Sequence, residues 1–403
     1  MIDVEEEALR EPERFASPPE AEPGFWEAAL GGAVSRVESN LGSFPPGLYP
    51  APSSKGGVYP AIRNSEWTTS FWPGMLWLAY EATGVGRFRD EGLARVPDFR
   101  RRLDEREGVD THDLGFLYTL SCVAPWRLVG YRPAREAALK AATMLLSRYF
   151  EKAGIIQAWG DLSDPEQRGR IIVDCAMNLP LLFWASEETG NPYYREAAAA
   201  HLRAADASLI RADASSYHTY FFDVETGEPL RGATAQGRSD GSCWARGQAW
   251  AIYGLALGFR YLRDPELLEL ASRLALYFLN RLPEDLVCHW DLSFSPAAAA
   301  ESLTSAAERD SSAAAIAACG LLELASHLPP IDPRRRRYEN AAGRIARSLA
   351  SSYSASGSEG NGLLLHSVYN KPKGEGVDEC CVWGDYFYLE SLVRLTRSWK
   401  PYW

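Results

Sequence analysis

Two kinds of helix candidate alternate along the sequence, and this alternation limits the chain to a few folds. One kind is apolar on every side, which places such a helix in the interior of a large protein. The apolar candidates are 67–83, 114–129, 175–188, 244–262, 311–328 and 386–396. The other kind is amphipathic and comprises 87–104, 133–150, 192–210, 265–282 and 333–353. Together with a separate helix at 24–41, these segments make six pairs.

The second helix of a pair begins in the same way in several pairs. Asn191-Pro192, Asp264-Pro265 and Asp332-Pro333 each indicate an N-cap followed by proline at the first helical position. Helical hairpins that repeat in this way predict a solenoid or a closed toroid. Six pairs favour closure, with an inner ring of apolar helices, an outer ring of amphipathic helices, and helix 24–41 against the last inner helix. The predicted fold class is therefore all-α.

The chain shows no linker-like stretch between these helices, so we predict one domain over 24–403. Residues 1–23 are acidic and rich in proline and are expected to form a loose arm. The longest irregular segment, 211–243, contains two β-like runs around the turn sequence ETGE. It predicts a small β-hairpin on the helical scaffold, where functional loops are common. A second irregular stretch, 361–384, is expected to form a flexible rim.

Charge and cysteine usage narrow the partners and the compartment. The formal net charge of −11 argues against nucleic acid or an anionic membrane as partner, although a small anionic substrate responds only to local charge. No stretch approaches the roughly 18 apolar residues of a membrane span, and the N-terminus MIDVEEEALREPERF lacks an apolar signal region. The seven cysteines are scattered and never spaced as CxxC, which is typical of reduced thiols. We therefore expect a cytoplasmic protein.

Two aspartates stand at the starts of inner helices. Asp174, in RIIVDCAMNLPLLFWA, and Asp113, which follows His112, would face the same mouth because inner helices of a toroid run parallel. Two nearby carboxylates raise each other's proton affinity and can form the acid/base pair of a glycosidase-like site. The alternative is that both are ordinary N-caps. Asp310 and Asp385 also stand at the starts of inner helices, where an N-cap would be a sufficient role for each.

Aromatic side chains and one arginine gather at the same helix starts. Trp67, Trp159 and Trp250 can stack on sugar rings or simply pack in the core. Arg246, in WARGQAW, is the only charge at an otherwise apolar helix start. Its guanidinium can hold a substrate carboxylate in a bidentate contact, or it can form a buried structural ion pair.

The sequence gives no support to a metal or a nucleotide cofactor. His112 and His218 have no third ligand at a recognisable spacing, so we predict no metal site. The alternative role for His218, which lies in the predicted hairpin, is that of a hydrogen-bonding histidine at the surface. No GxGxxG follows a strand, and neither a P-loop nor a GxSxG nucleophile elbow is present.

Several motifs together resemble the unsaturated glucuronyl hydrolases, glycoside hydrolase family 88. The motifs are NSEWTTSFWPGMLWLAYEATG, THDLGFLY, VDCAMNLPLLFWA, SYHTYFFD, CWARGQAWAIYG, RDSSAAAIAA and GVDECCVWGDYFYLESL. They span residues 64 to 395 in the order of the family. The resemblance implies an (α/α)6 barrel, in agreement with the helices predicted above from their patterning.

The resemblance also implies a reaction and a set of residues. These enzymes act on oligosaccharides with a Δ4,5-unsaturated uronate at the non-reducing end: a proton is delivered to C4, water adds at C5, the hemiketal opens and the aglycon leaves. Asp174 matches the general acid/base and Asp113 its partner. The matched substrate contacts are Trp67, His112, Trp159, His218, Gln236, Arg246 and Trp250, of which Gln236 comes from the resemblance alone. Residues that hold the second sugar are expected within 356–376.

Three other functions remain open from the sequence. Unsaturated rhamnogalacturonyl hydrolases share this fold and chemistry, although Trp159 and Gln236 favour the glucuronyl branch. A sugar isomerase or epimerase on the same toroid would need histidines at the barrel centre, and few of the six histidines fall at inner helix starts. A non-catalytic binding scaffold would tolerate the loss of both acids.

Overall fold

The computed structural model describes residues 4–294 and 308–403, and twelve helices lie within these ranges. We number them α1 (Phe25–Asn40), α2 (Phe71–Thr83), α3 (Gly86–Asp104), α4 (Leu114–Tyr118, continued by Thr119–Val123 and Ala124–Val129), α5 (Arg132–Leu146), α6 (Cys175–Asn178 and Pro180–Thr189), α7 (Pro192–Leu209), α8 (Ala245–Leu262), α9 (Pro265–Leu279), α10 (Ser311–His327), α11 (Pro333–Ser348) and α12 (Val382–Thr396).

The even-numbered helices form a closed inner ring. Each of α2, α4, α6, α8, α10 and α12 contacts the next, and α12 returns to contact α2. The odd-numbered helices pack outside them, and α1 packs against α12. The predicted all-α (α/α)6 barrel is therefore confirmed, including the role of the first helix in completing the outer ring.

The Asx-Pro pairs begin helices as predicted. The side chains of Asn191, Asp264 and Asp332 each accept a hydrogen bond from the amide two residues later. The caps satisfy amides that have no partner within the helix. Proline also explains two interruptions that the patterning missed: Pro125 follows the π-helical segment of α4, and Pro180 follows the break in α6. Each lacks the N–H that a continuous helix requires.

Nine short strands lie between the helices in the described ranges. They are β1 (Tyr49–Pro50), β2 (Ala61–Ile62), β3 (Tyr149–Phe150), β4 (Ile155–Ile156), β5 (Arg170–Ile172), β6 (Thr219–Phe222), β7 (Pro229–Ala233), β8 (Ser367–Asn370) and β9 (Glu375–Glu379). The predicted hairpin is β6–β7, and β5 joins it as a third antiparallel strand. The stretch expected to be a flexible rim contains the hairpin β8–β9. The predicted helix 133–150 ends at Leu146, because β3 turns back to pair with β4.

The acidic N-terminal segment is packed against the domain from Val4 onward, so the expectation of a loose arm was wrong. Val4 and Phe15 are buried apolar residues within it. Glu7 forms an ion pair with Arg281, which lies after α9. The buried side chains and the ion pair hold the segment against the domain, which an acidic, proline-rich composition alone does not predict. Within the described ranges, no helix is both long and apolar enough to cross a membrane.

Helices α4 and α6 approach each other closely where Gly115 faces Asn178. A Cβ atom on Gly115 would lie 2.3 Å from both the Cα and the carbonyl oxygen of Asn178. The Asn178 side-chain oxygen also accepts a hydrogen bond from the amide of Phe116, at 2.7 Å. Because Asp113 and Asp174 precede these helices, this contact sets the distance between the two carboxylates.

We expect Gly115→Ala to destabilise the protein by about 1–3 kcal/mol, because the added methyl group collides with backbone atoms that cannot rotate away. Its activity should fall further than its stability, because α4 and α6 are forced apart at the carboxylates. The matched control is Gly31→Ala on α1, where an added Cβ meets nothing within 4 Å and helix propensity favours alanine. Thermal unfolding and turnover of both variants test this; equal behaviour of the two would refute it.

Candidate active site

The starts of α4, α6 and α8 meet at one cavity of about 270 Å³, and the hairpins β6–β7 and β8–β9 contribute to its walls. Eight of the nine residues predicted from the sequence line it. They are Trp67, Asp113, Trp159, Asp174, His218, Gln236, Arg246 and Trp250. The ninth, His112, is 1% exposed and lies beside the two carboxylates. The structure therefore brings the whole predicted set together at one mouth of the barrel.

Neither Asp113 nor Asp174 caps its helix. Each precedes the first residue of an inner helix, but neither side chain accepts a hydrogen bond from that helix. Asp310 does cap α10, accepting hydrogen bonds from the amides of Ser312 and Ala313. The N-cap alternative is therefore wrong for Asp113 and Asp174 and correct for Asp310. The carboxylates of the first two are available for chemistry.

Asp385 has a structural role away from the cavity. The last inner helix begins at Val382, so Asp385 lies within its first turn rather than before it. Its carboxylate accepts hydrogen bonds from the hydroxyl of Tyr59 and the amide of Leu364, both at 2.9 Å. Burial raises the pKa of Asp385 to about 7. This buried carboxyl ties two loops to α12.

Strand pairing positions Asp174 beside His218. Asp174 follows β5 closely, and β5 pairs with β6. The amide of Val173 donates a hydrogen bond to the carbonyl oxygen of His218 at 3.0 Å. The pairing extends one residue beyond each strand and ends at the cavity. A helix start and a strand end therefore meet at Asp174, which holds its backbone from both sides.

His112 links the two carboxylates. Its Nε2 atom lies 3.3 Å from Oδ1 of Asp174 and 3.5 Å from Oδ1 of Asp113. Burial favours a lower pKa for His112, but the charges of Asp174 and Asp113 outweigh burial and raise its pKa above the ordinary value. Two acids and one imidazole thus form a single electrostatic unit whose protons are shared.

Within this unit, Asp113 is a carboxyl group with a strongly raised pKa. Burial raises the pKa of Asp113 to about 6; His112 opposes the shift, and Asp174 adds to it. The hydroxyl of Thr111 donates a hydrogen bond to Oδ2 of Asp113 at 2.7 Å and also opposes the shift. The cluster can therefore hold a proton close to neutral pH, as the acid of a glycosidase-like pair must.

His218 is a neutral hydrogen-bond donor to the cavity and is not the surface histidine of the alternative interpretation. It is 3% exposed, and burial lowers its pKa to about 3. Its Nδ1 accepts a hydrogen bond from the amide of Ala235 at 2.9 Å, which places the proton on Nε2. Within the described ranges, Nε2 has no hydrogen-bond partner. A donor of this kind suits a substrate oxygen.

Tryptophan side chains form both the walls and the floor of the cavity. The indole of Trp67 stacks on Trp383 with ring centroids 5.3 Å apart and donates a hydrogen bond to the hydroxyl of Tyr369 at 3.3 Å. The guanidinium of Arg170 lies 4.4 Å from the ring centroid of Trp159. Trp250 is buried below them. These rings combine core packing with an apolar surface open to the cavity.

Arg246 forms the buried ion pair that was the alternative to a substrate contact. Its Nη1 atom lies 3.5 Å from Asp310, and its Nη2 atom donates to Gln236 at 2.6 Å and to the carbonyl oxygen of Tyr369 at 2.8 Å. Nη1 also donates to the carbonyl oxygen of Val368. Burial lowers the pKa of Arg246, against the charge of Asp310. A direct contact with substrate stays a prediction for this residue.

The patterning did not find several residues of the cavity wall. They are Ile172, Ala235, Tyr369, Asn370, Lys373 and Glu375. Four of them lie on the hairpin β8–β9 or on its turn, inside the segment where the resemblance placed the second sugar. The sequence signal for these four residues was an irregular stretch with two lysines and two glycines. Such a stretch indicates a loop but does not show that the loop folds towards the cavity.

The comparisons with known proteins agree with this geometry. Residues 54–388 match Glycosyl Hydrolase Family 88. The chain belongs to this family. It is 46% identical over 398 residues to the unsaturated chondroitin disaccharide hydrolase of Streptococcus pyogenes serotype M1, covering 98% of each chain. The crystal structure of unsaturated glucuronyl hydrolase from Streptococcus agalactiae superposes with a TM-score of 0.94, at 43% identity and 99% coverage of both chains.

A third comparison involves a bound sugar. The structure of an Asp-to-Asn variant of the Streptococcus agalactiae enzyme, complexed with dGlcA-GalNAc6S, matches with a TM-score of 0.87, at 40% identity and 99% coverage of both chains. The predicted family and fold are therefore confirmed, and the chain is a glycoside hydrolase.

The titration of Asp113 predicts the pH dependence of the reaction. A carboxyl group with a pKa of about 6 is protonated below that pH and ionised above it, and glycoside hydrolysis needs a proton donor. We expect kcat/KM to fall as pH rises through about 6. Thr111→Val removes a hydrogen bond that favours the ionised form, so it should move this decline to higher pH. The control Thr143→Val, on α5, should not; a shift in the control or its absence in Thr111→Val would contradict the assignment.

We expect Arg246→Ala to lower the free energy of unfolding by roughly 3–5 kcal/mol, because Asp310 is left as a buried charge without its partner. Because Arg246 also lines the cavity, the rate on a free uronic acid should fall more than the rate on its neutral ester. Thermal unfolding and both rates should be measured beside Arg231→Ala, which removes an exposed arginine. Equal losses on acid and ester would exclude Arg246 as a ligand of the carboxylate.

Proposed function

We propose that the chain is an unsaturated glucuronyl hydrolase that acts on lyase-generated oligosaccharides, with chondroitin disaccharides as the first candidates. The observation that carries the proposal is the pair Asp113–Asp174, joined by His112 beside a cavity walled by tryptophans. The name of the Streptococcus pyogenes relative and the sugar bound in the Streptococcus agalactiae complex support the choice of substrate.

In the proposed complex, the unsaturated uronate occupies the cavity between the aromatic walls. Trp67 and Trp159 offer apolar ring faces, and Nε2 of His218 donates a hydrogen bond to a sugar oxygen. Arg246 holds Oε1 of Gln236, so the amide nitrogen of Gln236 is the end left to bind substrate. Arg246 also supplies the positive charge that attracts the uronate carboxylate into a molecule with a formal net charge of −11.

Asp174 is the proposed general acid/base, and Asp113 is its partner. Asp174 delivers to C4 of the C4=C5 bond the proton that it shares with Asp113 and His112, and water adds at C5 while its second proton passes back to the same three side chains. His112 stabilises the negative charge that this transfer leaves. The hemiketal at C5 then opens, and the aglycon leaves as the free sugar. No step requires displacement of the glycosidic oxygen by a nucleophile.

The second sugar is proposed to lie along the hairpin β8–β9. Asn370, Lys373 and Glu375 line the cavity from this hairpin. Lys373, in the turn, and Glu375, at the start of β9, are both exposed and carry opposite charges. The aglycon therefore meets a polar wall, whereas the uronate meets an aromatic one.

We also propose a cytoplasmic location, as expected from the cysteine pattern. All seven cysteines are free and buried. Burial raises the pKa of thiols such as Cys122 and Cys243 to about 12, which keeps them protonated and unreactive. This state suits a reducing compartment.

We predict that Asp174→Asn abolishes turnover while the protein remains folded. The amide keeps the shape of the side chain but cannot transfer a proton, and no cap is lost because Asp174 caps nothing. The control Asp264→Asn makes the same chemical change at an aspartate that does cap a helix, where asparagine is equally suitable. Loss of the ultraviolet absorbance of the C4=C5 bond follows the reaction on a panel of lyase-generated disaccharides. Wild-type turnover by Asp174→Asn would refute the proposal.

We predict that the reaction needs no metal, because each chemical step above uses only side chains and water. Exhaustive treatment with a chelator, followed by assay in chelator-free buffer, should leave the rate unchanged or higher. A large loss of rate that one divalent ion restores would contradict this prediction.

A further inference from the structure

We propose that His112, Asp113 and Asp174 form an inhibitory binding site for Zn²⁺ or a chemically similar transition-metal ion. Such an ion is an inhibitor here and not a cofactor. The inhibitory effect rests on the proposed function of Asp174, whereas the binding itself rests only on the geometry of the three side chains.

The spacing of the three potential ligands fits a small tetrahedral ion. Zn²⁺ binds imidazole nitrogen and carboxylate oxygen at about 2.0–2.2 Å in tetrahedral geometry, which places neighbouring ligands about 3.3–3.5 Å apart. Nε2 of His112 lies 3.3 Å from Oδ1 of Asp174 and 3.5 Å from Oδ1 of Asp113. The ligand atoms of all three residues lie within 4.8 Å of one another. Two of the three ligand spacings therefore already fit the ion.

The ligands are also unusually free. Neither ring nitrogen of His112 forms a hydrogen bond within the described ranges, although the side chain is 1% exposed. Oδ1 of Asp174 likewise has no hydrogen-bond partner there. Buried polar atoms without partners are costly and rare. A metal ion placed between the two atoms would satisfy both at once.

The types of ligand select the ion. Imidazole suits Zn²⁺, Cu²⁺ and Ni²⁺, whereas Mg²⁺ and Ca²⁺ prefer sites built wholly from oxygen. Three protein ligands leave one tetrahedral position open towards the cavity, which Asp113 and Asp174 line. The bound ion would therefore occupy the carboxylate proposed to deliver the proton and would obstruct the cavity. Inhibition should be competitive with substrate.

Calorimetric titration of chelator-treated, desalted protein with ZnCl₂ tests the binding without any assay of activity. We expect one Zn²⁺ per chain, and no comparable binding of Mg²⁺. Asp113→Asn and Asp174→Asn should each weaken binding by more than about 100-fold, because even residues that only orient a metal ligand are worth roughly 10–100-fold. Co²⁺ should give the strong visible absorption of a tetrahedral site in the wild type and in neither variant.

His366→Ala is the matched control. His366 pairs with Asp378 at 2.6 Å on the surface, which makes it a second place where Zn²⁺ could bind through imidazole and carboxylate. This variant should bind Zn²⁺ as the wild type does. In both proteins, added Zn²⁺ should raise KM by the same factor and leave kcat unchanged, as competitive inhibition requires. Circular dichroism establishes that each variant is folded, and the two aspartate variants serve as independent tests of the same site.

The outcomes separate the two proposals. Absence of binding to the wild type, unchanged binding in both folded aspartate variants, or loss of binding in His366→Ala overturns the metal site. Zn²⁺ that binds at these residues and raises the rate overturns the inhibitory role. If Zn²⁺ binds as expected but the wild type acts on no unsaturated uronide, the proposed function fails and the metal site stands.

Discussion

The contact between Gly115 and Asn178 is the constraint on which the site depends. It brings the backbones of two inner helices closer than any side chain larger than hydrogen would allow. Two carboxylates at the starts of those helices then lie near enough to share one imidazole. Their mutual repulsion would drive them apart on flexible elements. Here the packing of the inner ring offsets the free-energy cost of holding the two carboxylates close together. The proton affinity of these carboxylates therefore depends on the spacing of the two helices.

A second constraint, the Arg246–Asp310 pair, couples the barrel to the wall of the cavity. Arg246 lies in the first turn of α8, and Asp310 caps α10. The same guanidinium donates to backbone carbonyls of β8, so one buried cation orients two inner helices and a hairpin. A buried ion pair is weak evidence for net stability. Its importance here is that it holds the side chain of Gln236 and the backbone of Tyr369 at the cavity wall.

The sequence predicted most of the fold because burial patterns are local. A helix that is apolar on every side must lie inside, and the Asx-Pro pairs mark where its outer partner begins. Short pairings such as β3 with β4 were missed because two-residue strands carry no periodicity. Within the site, Asp113 and Asp174 were predictable from their place before parallel helices. Tyr369 and Asn370 were not, because only the fold brings a distant hairpin to the cavity.

The closed inner ring also has a kinetic consequence. The last inner helix must meet the first across most of the length of the chain, since α12 packs against α2. Contacts so distant in sequence carry a large loop-closure entropy and slow the search for the native state. Until they form, several wholly apolar helices have an unprotected side, which favours association between incomplete chains. During synthesis from the N-terminus, the first inner helix therefore lacks one of its two neighbours in the ring until α12 has been made.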